Sequence, residues 1–282
     1  MVFRLLLHPM YRIKFINSEA ATYYNDTVVL KSIVPERGLK PDAFHECQML
    51  DNIEKRQWQT FTAHPQKASV PLVREFYANA KYSADHTTVV RGKPISFDRS
   101  TINNFTVSTI STMMNCEEVL KFLVGSRTEW RLNEGVAVSF MGSALDKHTK
   151  AWLYFIGAKL MPITHFSDVT KDRAILLYDI LSGKSIDVGR LIQQSIKQAL
   201  RGSTSGGLPH PSLITALCKQ VGIPLPIGGE ELGTKPEIDH IFISGLHSRD
   251  RGAGPSSYPS RRPRHPPPLA LPAAEQLTQL QQ

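Results

Sequence analysis

The stretch 170–181, with the sequence Thr-Lys-Asp-Arg-Ala-Ile-Leu-Leu-Tyr-Asp-Ile-Leu, constrains the fold of this chain most. Thr170 is suited to cap a helix with its hydroxyl, and Gly183 can adopt the left-handed conformation that ends one. Apolar side chains point in nearly every direction around the axis, and only a narrow stripe with Asp172 and Asp179 is expected to face water. A helix this apolar must be surrounded by others. The sequence therefore predicts a globular core with this helix at its centre.

Helical periodicity recurs on both sides of this segment. It predicts further helices over residues 18–30, 51–61, 71–80, 115–124, 144–160, 188–200 and 211–221. Asn115 and Asp187 are the expected N-caps of two of these helices. In the helix that starts at Pro71, Arg74, Glu75 and Asn79 are expected on the polar face, away from the core.

Strand signals are few. Residues 87–97 predict two short strands around Gly92 and Lys93, and Pro94 places this hairpin at the edge of the domain. Residues 126–143 match neither period, and residues 238–243 could form a weak strand. The expected fold is therefore mainly α, a single helical domain with one small β-hairpin.

The composition of the chain changes after Gly222. Proline and glycine break any period between residues 223 and 244, which are expected to form an irregular linker. From 245 to 282, seven of 38 residues are proline, with arginine and serine frequent. Such a segment buries too little apolar area to offset its ordering entropy, so a disordered, basic Pro/Arg-rich tail is predicted. Residues 1–13 are expected as an N-terminal extension and residues 14–222 as the helical domain.

The charge of the chain is only mildly positive outside this tail. The 282 residues carry a formal net charge of +8, of which the tail holds +3 and the body +5. An excess of this size permits contact with nucleic acid or an acidic partner but does not by itself indicate one.

The cysteines and the apolar runs favour an intracellular protein, in the nucleus or the cytoplasm. Cys47, Cys116 and Cys218 are far apart and odd in number, which is typical of reduced thiols. No run approaches the roughly 18 apolar residues of a membrane helix. The apolar segment 3–7 ends too early for a signal peptide, and its abrupt start suggests an arbitrary gene-model boundary or a truncated open reading frame.

Several short phrases occur in an order that resembles one family. They include Glu36-Arg37-Gly38, Leu72-Val73-Arg74-Glu75-Phe76-Tyr77-Ala78-Asn79, Val90-Arg91-Gly92-Lys93, Ala151-Trp152, Leu176-Leu177-Tyr178, Ile186-Asp187-Val188-Gly189 and Pro211-Ser212-Leu213-Ile214-Thr215. Over roughly residues 14–222 the chain resembles the "putative plant transposon protein" domain of plant retroelement-derived reading frames. The resemblance implies an origin in a mobile element, but it brings no catalytic residue, cofactor or ligand.

The residue patterns of retroelement enzymes are missing from the sequence. It contains no Cys-x-x-Cys pair for a zinc knuckle and no Asp-Thr/Ser-Gly turn of an aspartic protease. The densest acidic group is Asp168, Asp172 and Asp179, and the last two are about 10 Å apart by helical rise, too far for a two-metal site. No catalytic, cofactor-binding or metal-binding residue is therefore predicted. A divergent transposase or nuclease with an unrecognised acidic cluster is the alternative.

One helix face carries candidate binding residues. In the helix over 188–200, Arg190, Lys197 and Arg201 lie opposite the apolar face. This stripe could contact phosphates. A merely solvated face is the competing interpretation, and it is the commoner one.

The tail carries the remaining candidates, Arg261, Arg262 and Arg264, which could contact nucleic acid or serve in nuclear import. With residues 266–268 they could instead form a polyproline II ligand for a protein module. The leading hypothesis is a non-enzymatic, retroelement-derived protein that acts through nucleic-acid or protein contacts.

Overall fold

The structure, a computed structural model, describes residues 14–40, 49–104, 115–162, 166–202, 206–226 and 228–245. Its helices, in chain order, are α1 (Ser18–Tyr23), α2 (Met49–Lys55), α3 (Gln59–Thr62), α4 (Val70–Ala80), α5 (Arg99–Asn103), α6 (Cys116–Val124), α7 (Lys147–Phe155), α8 (Lys171–Leu181), α9 (Val188–Arg201) and α10 (Pro211–Gln220). Single π-helical turns, Tyr24–Val28 and Ile156–Leu160, continue α1 and α7. The mainly α prediction is confirmed.

Short strands form three small antiparallel sheets in the described part of the chain. They are β1 (Ala68–Ser69), β2 (Thr87–Val90), β3 (Lys93–Ser96), β4 (Arg131–Asn133), β5 (Val136–Met141), β6 (Asp168–Thr170) and β7 (Glu231–Leu232). The sheet orders are β1–β7, β2–β3 and β4–β5–β6. The predicted hairpin is β2–β3, with Arg91 and Gly92 at φ 50° and 73° in its turn. The prediction of only one hairpin was wrong. Strands β4 and β5 form a second hairpin within residues 126–143, the stretch that matched neither the helical nor the strand period.

Helix α8 is buried as predicted. Ala174, Leu176, Leu177 and Ile180 are in the core, and Gly183 ends the helix at φ 75°. The other apolar residues, Ile175, Tyr178 and Leu181, are half-buried against it. One detail was wrong, since the Thr170 hydroxyl does not cap the first turn and instead accepts a hydrogen bond from Arg173 at 3.1 Å.

Asp179 contradicts the prediction of a solvated acidic stripe on α8. Asp172 is exposed, but Asp179 is only 3% exposed. Arg56, just after α2, lies against this end of the helix and donates to the carbonyl oxygens of Asp179, Ile180 and Lys184 at 2.8, 3.0 and 2.6 Å. A cation at a helix C-terminus is favourable, and the charge of Arg56 also interacts with the buried carboxylate of Asp179.

One apolar cluster joins the helices into a single core. At its centre Trp58 and Trp152 pack edge to face at 6.5 Å, with Phe155 5.7 Å from Trp152. Residues 223–244, expected to be an irregular linker, contribute Ile238 and Ile243 to the same cluster.

Two predicted helices have different limits in the structure. The helix over 51–61 is divided into α2 and α3 because Gln57 has φ 55°. The helix over 144–160 begins at Lys147, where Asp146 accepts hydrogen bonds from the amides of His148 and Thr149 at 2.8 and 2.9 Å.

The prediction of a weak strand over 238–243 is wrong. Residues 240–245 are helical, and Asp239 accepts a hydrogen bond from the Phe242 amide at 2.7 Å at the start of this turn. Residues 246–282, which include most of the predicted tail, lie outside the described residues.

The polar face predicted for α4 is partly wrong. Glu75 and Asn79 are both 0% exposed. Glu75 accepts a hydrogen bond from the Arg91 amide at 2.6 Å and pairs with the Arg91 Nε at 3.0 Å, so it fixes the β2–β3 turn. Asn79 donates to the Val89 carbonyl at 2.7 Å and accepts from the Ile16 amide at 3.1 Å. Both side chains join α4 to neighbouring segments.

Candidate functional site

Helix α9 carries the predicted basic stripe. Asp187 caps it as expected, accepting a hydrogen bond from the Arg190 amide at 3.0 Å. Its apolar face, with Val188, Ile192 and Ile196, is buried. Since these residues fix the rotation of the helix, the opposite face presents its basic side chains outward.

The structure brings two of the three predicted residues on α9 into one cleft. Lys197 and Arg201 line a cavity of about 510 Å³ together with Lys81, the C-cap residue of α4. Ser83, Asp85 and His86 complete the polar lining. We call Lys81, His86, Lys197 and Arg201 the basic cleft. Cations from two helices and a histidine from the loop before β2 therefore face one space.

Lys31 binds the C-terminal end of α9, next to the basic cleft. It is buried, and its ammonium donates to the carbonyls of Ala199 and Gly202 at 3.0 and 3.3 Å. Burial lowers the pKa of Lys31, and the nearby positive charge of Lys81 lowers it further. By capping the last turn of α9, Lys31 neutralises the negative end of the helix dipole beside Arg201.

The loop of the cleft has an unusual backbone. Asp85 and His86 have φ values of 52° and 56°, in the left-handed region that costs energy for residues other than glycine. The His86 ring packs edge to face on Phe97 at 5.8 Å, which fixes the orientation of the imidazole.

Arg190 lies apart from the basic cleft. It lines a different cavity of about 280 Å³, together with Arg99, Asp172, Asp179 and Asp187. Asp187 pairs there with the Nε of Arg99 at 2.6 Å. Three carboxylates outnumber the two arginines at this position, so Arg190 does not extend the basic cleft. The tail candidates Arg261, Arg262 and Arg264 lie outside the described residues.

Sequence reasoning missed Lys81, His86 and Lys31. The sequence offers Lys81 no partner because α4 and α9 are more than a hundred residues apart. Only the folded chain brings Lys81 to the same cavity as Lys197 and Arg201. Nothing in the local sequence around Lys81 or Lys197 indicates this grouping, because it depends on a contact between distant segments of the chain.

The acidic residues considered for metal chemistry are dispersed. Asp168 on β6 pairs with Arg131 at 2.7 Å. Asp172 and Asp179 line a cavity that also holds two arginines. Within the described residues, no three His, Cys, Asp or Glu side chains are grouped so that they could hold a metal ion.

Cys218 does not have the character of an activated nucleophile. Cys218 is buried, and burial raises the pKa of its thiol to about 12. Because the thiolate is the reactive form, Cys218 is inert near neutral pH. Cys116 is half-buried, and Cys47 lies outside the described residues.

Comparison with known proteins gives one family. The model described as "putative plant retrotransposon-related domain" matches residues 54–224, more than half of the chain. The chain belongs to this family. A search of curated proteins and a search of solved structures gave no significant match.

The retrotransposon-related region contains most of the candidate site. The match from 54 to 224 covers α4 and α9, and with them Lys81, His86, Lys197 and Arg201. Lys31 precedes it. The chain is thus a transposable-element-derived protein, as the short sequence phrases predicted. None of its helices in the described ranges reaches the length and apolar character that a membrane crossing requires.

Proposed function

We propose that this retrotransposon-related protein is non-enzymatic and binds the phosphate backbone of nucleic acid through the basic cleft. The observation that carries the proposal is the convergence of Lys81, Lys197 and Arg201 on one cavity of about 510 Å³. Its cellular place is then the nucleus or the cytoplasm, where the nucleic acid of an element is found.

Positioned cations distinguish this cleft from an ordinary solvated helix face. Lys81 is held over the Tyr23 ring, with its ammonium 3.8 Å from the ring centroid. Cation–π contact restrains a lysine that would otherwise move freely. Lys197 is half-buried, so part of its side chain is also fixed. Restrained cations lose less entropy when they bind phosphate.

The charges of the cleft are open to a ligand. In the described part of the chain, no ion pair within 4 Å engages Lys81, Lys197 or Arg201, while Asp85 is the one carboxylate among the lining residues. The cleft therefore has a net positive charge, which attracts a polyanion. The left-handed backbone at Asp85 and His86 is also typical of binding sites, where local strain concentrates.

Binding to a short fluorescein-labelled RNA, followed by anisotropy at increasing salt, tests this function. Three phosphate contacts to a single strand predict that log K falls with log salt with a slope of about −2. Negligible affinity at low salt, or an affinity that does not change with salt, would contradict the proposal.

A further inference from the structure

A third cavity lies between the N-terminus of α10 and the loop after α3. Its volume is about 440 Å³, within the range of small-molecule sites. Phe61, Leu213 and Ala216 supply apolar lining, while Glu36, Lys159 and His210 supply buried polar groups. None of the residues of the basic cleft lines this cavity.

An ion pair is buried in its wall. Glu36 and Lys159 are 6% and 8% exposed, and their Oε2 and Nζ atoms are 3.2 Å apart. The other oxygen of Glu36 accepts from the amides of Ser212 and Leu213 at 2.9 and 3.4 Å, at the first turn of α10. Desolvating two charges is costly, and packed apolar side chains of the same size often stabilise a fold as well or better. Stability alone therefore gives a weak reason for this pair.

His210 adds two further local costs beside the ion pair. It is 1% exposed, and its Nε2 has no hydrogen-bond partner among the described residues. Its φ of 54° is in the left-handed region. Burial lowers the pKa of His210 to about 4, so the ring is neutral at neutral pH. A buried polar atom without a partner and a strained backbone are features that persist mainly where they serve a function.

The mouth of the cavity is basic. Lys67 and Lys219 line it and are exposed to solvent. At the surface Lys67 also pairs with Glu231 at 3.3 Å, and Lys219 donates to the side-chain oxygen of Gln66 at 3.3 Å. With Lys159 they outnumber Glu36, so the lining has a net positive charge. A ligand that fits would place an acid group at the mouth, a ring against Phe61, and a hydrogen-bonding edge near His210.

We propose that this cavity binds a mononucleotide-sized organic anion, with its acid group at Lys67 and Lys219 and its polar ring edge at His210. An aliphatic chain would leave the inner polar groups without partners, which is costly in a buried site. A bare inorganic anion would leave the apolar wall unfilled. A flat, polar ring with a phosphate satisfies both ends.

Isothermal titration of the full chain with AMP, GMP, CMP and UMP, and with the matching nucleosides, tests the ligand class. At least one monophosphate is expected to bind one to one, and about tenfold tighter than its nucleoside because two lysines contact the phosphate. If no monophosphate binds, or if nucleotide and nucleoside bind equally, the proposal is overturned.

Charge variants locate the acid group of the ligand. The double variant Lys67→Gln/Lys219→Gln is expected to weaken the monophosphate about tenfold and the nucleoside less than twofold. Lys121→Gln/Lys147→Gln, which removes two exposed lysines outside the cavity, is the matched control and leaves both unchanged. An equal loss in both double variants would mean that only overall charge matters, and it would refute the site.

The inner end of the cavity has its own variants. His210→Asn removes Nε2 while retaining a residue that tolerates positive φ, so we expect nucleotide and nucleoside affinity to fall by the same factor, about tenfold.

Ala216→Trp fills the cavity from α10 and should abolish binding. Thermal melting checks that both variants are folded. Undiminished binding in a folded Ala216→Trp variant contradicts the proposal, whatever the nucleic-acid affinity of the basic cleft.

Discussion

At the scale of single residues, Asp98 illustrates how one carboxylate can organise a chain segment. It lies between β3 and α5, and its oxygens accept from the hydroxyls of Ser100 and Ser96 at 2.6 and 2.5 Å and from the Thr101 amide at 2.8 Å. Hydrogen bonds from Ser100, Ser96 and Thr101 hold the pKa of Asp98 well below its usual range. The charged form of Asp98 therefore stabilises the start of α5.

Replacing Asp98 with alanine tests this role. The variant should lose about 1–2 kcal/mol of unfolding free energy near neutral pH, the usual cost of removing an N-cap. Since the folded pKa lies below the unfolded value of about 3.9, the contribution of Asp98 is complete above that value and is lost as the pH falls below it. Urea unfolding across pH should therefore show the difference between the two proteins shrinking in acid.

An exposed aspartate provides the control for this measurement. Asp26, in the π-turn after α1, is solvent-exposed, so Asp26→Ala should change the unfolding free energy by less than about 0.5 kcal/mol. A difference between wild type and Asp98→Ala that is the same at all pH values would show that the carboxylate charge has no part in it.

Local capping chemistry could be predicted from sequence, whereas polar burial could not. Asn115 and Asp187 cap the helices as predicted because a cap bonds to amides two or three residues away. Asn79 was assigned to a solvated face, yet its partners are the backbones of Lys14, Ile16 and Val89. The periodicity of α4 contains no information about segments that approach from elsewhere in the chain.

At the scale of elements, the contact between α9 and α5 depends on a missing side chain. A Cβ atom at Gly189 would meet the Arg99 carbonyl and would lie 2.5 Å from the Asn103 Oδ1. The Gly189 amide also donates to this Asn103 oxygen at 2.6 Å. The backbones of α9 and α5 can therefore approach this closely only because residue 189 is glycine.

Gly189→Ala should consequently destabilise the protein. Alanine in a helix normally stabilises by about 1 kcal/mol relative to glycine, but here overpacking should reverse the sign and cost about 1–3 kcal/mol. Gly202→Ala, at the other end of α9, meets only ordinary contacts of 3.5 Å or more and serves as the control. Urea unfolding measures both variants, and a stabilised Gly189→Ala protein would disprove the close packing.

The second hairpin shows why residues 126–143 could not be assigned from sequence. Phe140 on β5 is buried, but Leu132 and Val136 are 63% and 57% exposed, so most apolar residues of β4 and β5 do not mark a buried face. A register shift between Arg131 and Leu132 also interrupts the alternation. Strand prediction relies on one buried face and an unbroken period of two. This hairpin has neither. Its third strand, β6, comes from nearly thirty residues further along the chain.

At the scale of the whole molecule, the sequence predicted the family and the central helix but only part of the candidate site. Lys197 and Arg201 were predicted because they share one helix face, which is a local property. Their grouping with Lys81, and the separation of Arg190, follow from where the end of α4 lies relative to α9 in the folded chain. The cavity around His210 was not predicted either, since its wall combines Glu36, Lys159 and α10.

The salt dependence of RNA binding in paired charge variants tests the proposed function most directly. Lys197→Gln/Arg201→Gln removes two cations from the basic cleft, and Lys121→Gln/Lys147→Gln removes two exposed ones elsewhere. We expect the slope of log K against log salt to become less steep by about 1 to 2 in the first variant and to stay at the wild-type value in the second. Equal slopes in the two variants would contradict nucleic-acid binding through this cleft.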